Sequence, residues 1–123
     1  MRKTFSVALL LAVFTLAISA QAQAADPHPS VRLTWTDADF ALNPLMTFNV
    51  YRGTGPCGAA TMTLLNSSAT VTATTYLDTA VKIITTYCYD VTAVLAGIES
   101  GTSNTVNPSI PAANPTNLTA VAK

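Results

Sequence analysis

Short segments in which apolar and polar residues alternate recur along the chain from residue 30 onward. In VRLTWT, residues 31–36, Val, Leu and Trp alternate with Arg and Thr; in TTYCYDVTAV, residues 85–94, two tyrosines, a valine and an alanine share one face. A period of two is that of a β-strand, and no long segment shows the period of a helix. Gly, Pro, Asn and Asp separate the segments, as expected for turns. The pattern predicts an all-β fold, a sandwich of two antiparallel sheets.

The first 24 residues have the pattern of a secretory signal peptide. Arg2 and Lys3 precede FSVALLLAVFTLAIS, an apolar stretch too short to span a bilayer comfortably, and AQAQAA follows with small residues at the spacing of a cleavage site. We expect cleavage after Ala24, with Ala22 as the second choice; the alternative is a retained membrane anchor. The predicted organisation is a signal peptide over residues 1–24, a β-sandwich over residues 25–110 and a tail over residues 111–123, in a secreted or periplasmic protein.

Composition narrows the range of partners. Charged residues make up only 10% of the chain, so that Thr, Ser and Asn must provide most of its solvation. After cleavage, four basic side chains face six acidic ones, a net charge of about −2. With no basic patch, nucleic acid is a poor candidate partner. No membrane association is expected once the signal peptide is removed.

Cys57 and Cys88 are the two cysteines of the chain. In an exported protein an even pair predicts a disulfide; the alternative is two separate buried thiols. A zinc site is not expected, because two cysteines and the lone His28 supply too few ligands. We therefore predict no metal site and no cofactor.

The sequence offers little for catalysis. A Ser/His/Asp set would need His28, which lies in a proline-rich segment, and no GxSxG motif is present. Asp37 and Asp39 in TDADF fit part of a calcium loop, but such a pair is more often a solvated turn. Asp78 after YL fits a turn-former better than an acid catalyst. The chain is predicted not to be an enzyme.

Six segments in order resemble a bacterial fibronectin type III domain. They are VRLTWT with its Trp, NVYRG, LNSS, YLDTAV, TTYCYDVTAV and ESGTSN, over roughly residues 30–106. The resemblance implies strands B, C, C′, E, F and G over residues 31–36, 47–52, 61–65, 74–77, 85–94 and 103–107.

The resemblance also implies roles for individual residues. Trp35 would be the central core residue, and the hydroxyl of Tyr87 would bond nearby backbone at the E–F corner. Because strand C lies beside F in such sandwiches, the Cys57 loop would fold over the sheet to reach Cys88. The expected core residues are Trp35, Phe48, Val50, Tyr87, Tyr89 and Val91.

The sequence departs from the family pattern at several points. Only ADPHPS precedes strand B, so strand A is expected to be missing. The E–F turn has Ile83 and Ile84, and a β-branched residue resists positive φ, so the turn is expected to take another shape. The F–G loop has Leu95 and Ile98 where polar residues are usual, and the two cysteines are not a general feature of the family.

The tail segment PTNLTAVAK looks like an opening strand placed at the back of the domain. Leu118 and Ala120 would point into a core if the tail paired with the open edge beside strand B, either in a neighbouring copy or in its own. The third interpretation is a loose tail or the stub of a second domain. Apolar residues at both ends of the predicted sandwich favour head-to-tail contact between copies. The six candidate contact residues are Ile83, Ile84, Leu95, Ile98, Leu118 and Ala120.

Two functions remain open at this point. The leading hypothesis is a secreted, non-catalytic module for protein–protein interaction, adhesion or scaffolding. The runner-up is a carbohydrate-binding accessory module, for which Tyr51 is the main outward aromatic residue.

Overall fold

The computed structural model describes residues 17–23 and 28–123. Most of the predicted signal peptide, together with its cleavage point after Ala24, lies outside the described residues. The described part contains eight β-strands and no helix. The strands are β1 Ile18–Gln23, β2 Ser30–Trp35, β3 Thr47–Thr54, β4 Thr63–Leu64, β5 Thr75–Asp78, β6 Thr85–Leu95, β7 Ile98–Glu99 and β8 Ser109–Ile110.

The strands form two antiparallel sheets. The first has the order β1-β2-β5; the second has the order β4-β3-β6-β7, and β8 pairs with the start of β6. The predicted all-β sandwich of two antiparallel sheets is thereby confirmed. We call the end of the sandwich with Ser30, Thr54 and Thr85 the disulfide pole, and the end with Trp35 and Leu95 the hairpin pole.

The core lies between the inner faces of the two sheets. Alternation along β2 buries Val31, Leu33 and Trp35 while their neighbours stay exposed. The Trp35 ring meets Phe48 of β3 edge-on, with ring centroids 5.2 Å apart. The six residues expected in the core are all buried there: Trp35, Phe48, Val50, Tyr87, Tyr89 and Val91. Lys82 N–H donates to the Tyr87 hydroxyl at 3.0 Å, the corner hydrogen bond that the resemblance implied.

The outer face of β6 is covered as well, near the disulfide pole. Cys57 and Cys88 form a disulfide with Cα atoms 4.9 Å apart, and Cys88 is buried. The loop after β3 folds across the sheet: a Cβ on Gly53 would lie 2.7 Å from Ala60 Cβ and 2.9 Å from Thr61 O. Glycine at position 53 is what lets the loop approach so closely, and the disulfide holds it there.

The prediction that strand A is missing is wrong for the full chain. β1, Ile18–Gln23, pairs antiparallel with β2 in the position of an opening edge strand. Ile18 is buried in the core and its backbone faces Trp35. The physical reason is that ISAQAQ, assigned from its position to the signal peptide, alternates Ile or Ala with polar residues, which is a strand pattern.

The prediction for the Ile83–Ile84 turn is also wrong. Ile84 has φ of 55°, so the turn keeps its left-handed residue although the side chain is β-branched. The Ile84 N–H donates to the Ile110 carbonyl at 2.6 Å, which fixes the turn against the end of β8.

The last strand is more broken than expected. Residues 103–107 contribute one bridge, between Val106 and Tyr89, and regular pairing resumes only at β8. Pro108 lacks an N–H, so a continuous ladder is interrupted before Ser109. β8 ends at the disulfide pole, from which residues 111–123 continue as an exposed segment.

Candidate binding surface at the β6–β7 hairpin

The hairpin between β6 and β7 is built from a two-residue turn. Leu95 pairs with Ile98, and between them Ala96 and Gly97 have φ of 51° and 77°. Two successive positive φ angles match the primed turns that suit the twist of a hairpin. Leu95 packs partly against the core, whereas the side chain of Ile98 is 75% exposed. The turn therefore presents one aliphatic side chain to solvent at the hairpin pole.

The carboxylate of Glu99 organises the outer face of the sheet beside the hairpin. Its Oε1 accepts hydrogen bonds from Thr92 Oγ1 at 2.5 Å, Tyr51 Oη at 2.6 Å and Asn49 Nδ2 at 3.1 Å. Strands β3 and β6 place these donors on one face, because residues 49 and 51 alternate outward along β3. The hydrogen bonds from Thr92, then Tyr51 and Asn49, lower the pKa of Glu99 to about 2.

A groove of about 480 Å³ adjoins this carboxylate, and we call it the polar groove because most of its lining residues are polar, although most of its exposed surface is apolar. Asp90 lies in it opposite Tyr51 and is buried, and its Oδ1 has no hydrogen-bond partner among the described residues. Burial raises the pKa of Asp90 above its ordinary value. Met62 from the crossing loop closes one side of the groove.

An apolar cleft of about 430 Å³ lies on the other side of the hairpin. Met46, Ala93, Leu95 and Ile98 supply its apolar lining. The cleft and the polar groove share residues 100–102, so the hairpin and the loop after it form a ridge between the two. A partner seated on this ridge would meet an exposed isoleucine, an apolar cleft and a fixed negative charge together.

Asp37 and Asp39 edge the apolar cleft without forming a metal centre. The Asp37 carboxylate accepts the Asp39 backbone N–H at 2.9 Å, which is a local turn contact. In residues 17–23 and 28–123, no three His, Cys, Asp or Glu side chains lie close enough together to hold a metal ion.

The remaining candidate contact residues lie elsewhere. Ile83 and Ile84 are exposed at the disulfide pole, far from Leu95 and Ile98 at the hairpin pole. Leu118 and Ala120 lie in the exposed tail. The structure therefore does not bring the six candidates together on one surface.

A second polar cluster joins the two sheets, and sequence reasoning missed it. Asp78 at the end of β5 is buried and accepts from Arg52 Nη1 and Tyr89 Oη, both at 2.8 Å. Asp78 is also the turn-former that the sequence predicted, because its Oδ1 accepts the Ala80 N–H at 3.0 Å. The Arg52 guanidinium lies 5.2 Å from the centre of the Tyr87 ring. These contacts hold the two sheets together and are not part of the hairpin surface. The sequence alone does not reveal them, because the pairing of Asp78 with Arg52 depends on how the sheets stack.

The arrangement at the hairpin suits binding better than catalysis. A carboxylate held ionised by three donors is a weak general base, and the two thiols are consumed in the disulfide. No helix that could cross a bilayer occurs among residues 17–23 and 28–123.

Comparison with solved structures places the sandwich in a family. One similar structure is the crystal structure of an Fn3-like protein from Clostridium thermocellum, which is 30% identical to this chain. The match spans 82% of this chain and 99% of the Clostridium protein, with a TM-score of 0.53. The chain belongs to the fibronectin type III family. Fibronectin type III domains generally mediate protein–protein interaction or scaffolding and are generally non-catalytic.

Two human fibronectin type III domains share the fold at low identity. The domain of the collagen alpha-1(XX) chain is 19% identical, with 89% of this chain and 91% of that one covered and a TM-score of 0.52. The domain of contactin 1 is 9% identical, with 97% and 99% covered and a TM-score of 0.56. No protein-family model matches the sequence, and no curated protein is detectably similar to it.

Proposed function

We propose that this fibronectin type III domain is an exported, non-catalytic module that binds a protein partner through the β6–β7 hairpin. The observation that carries the proposal is the ridge itself, with Ile98 exposed between the apolar cleft and the Glu99 carboxylate. An exposed aliphatic residue beside a well-formed cleft and a polar rim is the usual composition of a protein-binding patch. The disulfide supports export, because such bonds persist in oxidising compartments.

The fixed negative charge of Glu99 favours partners that carry a basic group. Glu99 is held in place by three donors, so a basic group on the partner would find its counter-charge already oriented. We therefore expect the partner to place an apolar side chain in the cleft and a Lys or Arg beside Glu99.

The test uses two isoleucines as a matched pair. The immobilised mature protein is used to capture proteins from the culture fluid and the cell-envelope fraction of the organism that produces it. The captured proteins are then identified by mass spectrometry. Ile98→Ser should abolish capture, whereas Ile84→Ser at the opposite pole should not, although the two side chains are 75% and 79% exposed. Equal capture by both variants would exclude the hairpin as the binding surface.

The polar groove favours carbohydrate as the second candidate ligand. Tyr51, Thr92 and the carboxylates of Asp90 and Glu99 line it, and sugars are bound by such combinations of aromatic and hydrogen-bonding groups. A glycan array probed with the wild-type protein and with Tyr51→Ala tests this. Glycan binding that the substitution removes would favour this function; no glycan binding by the wild type would exclude it.

A further inference from the structure

Cleavage of the chain at the predicted site would remove the strand that pairs with β2 and leave that edge of the first sheet exposed. Cleavage after Ala24 removes all of β1, Ile18–Gln23, and this inference rests on the export that we propose above. The loss uncovers a slot over Trp35, because Ile18 is buried against the core there. The backbone groups of β2 that pair with β1 would also lose their partners.

Particular side chains around the slot are arranged to hold a strand. The Asn104 amide clamps residue 18, with Oδ1 2.8 Å from Ile18 N and Nδ2 3.2 Å from Ile18 O. The Thr34 hydroxyl lies 2.8 Å from that of Ser19, and Thr36 N–H donates to Ala17 O at 3.3 Å. Removal of β1 leaves these groups at the exposed edge without those partners, so they are free to bond another strand.

The tail carries a second copy of the pattern that fills this slot. Ile18-Ser-Ala-Gln-Ala22 in β1 corresponds to Leu118-Thr-Ala-Val-Ala122 in the tail. Leu and Ile are isomers of equal volume, Thr119 retains the hydroxyl of Ser19, and both alanines are the same. In the described chain Leu118 is 95% exposed and Val121 88%, so the tail is available for pairing.

A tail cannot easily reach the slot of its own copy in the direction of β1. The chain leaves the sandwich at Ile110, opposite Thr85, whereas β1 begins opposite Trp35 at the hairpin pole. Val31 pairs with Asp78, Asp78 contacts Arg52, and Arg52 pairs with Tyr89, so Val31 and Tyr89 lie at about the same height in the sandwich. To travel from Ile110 to the start of β1, the tail must therefore cover the length of four residues of β6 and four of β2. That is about 26 Å at 3.3 Å per residue. The eight steps from Ile110 to Leu118 extend to about 26–29 Å, so almost no length is left for the chain to reverse its direction.

We propose that, once β1 is removed, Leu118–Ala122 of a second copy adds to the edge beside β2 in the register of β1. Leu118 then lies over Trp35 and is clamped by Asn104, and Thr119 pairs with Thr34. The donor tail leaves one copy at its disulfide pole and enters the next at its hairpin pole. The contact is therefore head-to-tail and produces open chains of copies unless the rotation closes a ring.

The test compares two exposed aliphatic residues of the tail that would occupy opposite faces of the added strand. Leu118 would point into the core, whereas Val121, three positions on, would face away from it. The mature protein, residues 25–123, is examined by sedimentation over a range of concentrations. The wild type should form concentration-dependent oligomers. Leu118→Asn should weaken association at least about thirtyfold, the equivalent of losing one buried aliphatic side chain, and Val121→Asn should leave it unchanged.

Two further measurements make the outcome decisive. Asn104→Ala should weaken association while Ile98→Ser should not, which separates this interface from the proposed hairpin surface. A synthetic peptide of residues 115–123 should dissolve the oligomers by competing for the slot. A mature protein that stays monomeric at all concentrations overturns the proposal. If such a monomer is destabilised by Leu118→Asn, the occupant is the protein's own tail and the second copy is excluded.

Retention of β1 in the exported protein would also overturn the proposal. Mass measurement of the exported chain shows whether residues 17–23 are still present. That result would leave the capture experiment on Ile98 untouched, so the two proposals fail separately.

Discussion

Among the described residues, Ile84 is the one β-branched residue with positive φ. Its φ of 55° lies in the left-handed region, where a β-branched side chain is strained. Because the side chain is 79% exposed, almost no packing compensates for the strain. Ile84→Asn should therefore raise the free energy of unfolding by about 1 kcal/mol, since Asn tolerates this conformation. Thermal melting would show this as a rise of roughly 4–8 °C.

The neighbouring isoleucine provides the control for Ile84. Ile83 is also exposed, at 47%, but does not have positive φ. Ile83→Asn should give no gain in melting temperature. An equal rise in both variants would mean that lower surface hydrophobicity, and not backbone strain, is responsible.

The lowered pKa of Glu99 predicts that the fold loses stability as the pH falls. Its pKa in the fold is about 2, below the ordinary 4.5, because Thr92, Tyr51 and Asn49 donate to its charged form. A depressed pKa contributes stability that is present above pH 4.5 and is lost as pH falls toward 2. The Glu99→Gln variant should melt below the wild type at pH 7, and the difference should shrink between pH 4.5 and pH 2. A difference independent of pH would rule out this role. Asp90, whose pKa is raised, acts in the opposite sense but is common to both proteins.

At the scale of elements, the disulfide holds the crossing loop on the second sheet. Cys57 and Cys88 are 31 residues apart, and closing a loop of that length stabilises by about 3–4 kcal/mol on the chain-entropy argument. The double variant Cys57→Ser, Cys88→Ser should lose about that much in denaturant unfolding while keeping its β-type circular dichroism. Loss of all β-structure would show that the bond is needed for folding and not only for stability.

The period of two was sufficient to locate most elements, but not the edges of the sheets. β2, β3 and β5 follow from alternation because one face of each is more buried than the other. β6 is buried on both faces around its middle, but its Tyr, Val and Ala still alternate with other residues in the sequence. β1 escaped prediction because its residues also fit the end of a signal peptide, and the last strand is interrupted at Pro108. At the hairpin, Leu95 and Ile98 stood out from the sequence as unusual, but the donors around Glu99 did not. Asn49, Tyr51 and Thr92 converge only through the register of β3 with β6, which a single sequence does not specify.

At the scale of the whole molecule, a charged pair connects the two sheets. Asp78 belongs to the first sheet, and Arg52 and Tyr89 belong to the second. Asp78 was predicted only as a turn residue, because its ion pair with Arg52 spans 26 residues and depends on how the sheets stack. Loss of its carboxylate would leave a guanidinium whose side chain is only 22% exposed, together with a buried tyrosine hydroxyl lacking its acceptor.

Asp78→Ala should therefore destabilise the sandwich by about 3 kcal/mol, the lower end of the range for breaking a buried pair, because Arg52 keeps some contact with water. Removing both charges tests whether the cause is the unpaired cation. The double variant Arg52→Met, Asp78→Ala should recover part of the loss in urea unfolding, since no uncompensated charge remains. If the double variant is less stable than Asp78→Ala alone, the guanidinium contributes mainly through its contact with the Tyr87 ring, and the ion pair is not what holds the sheets together.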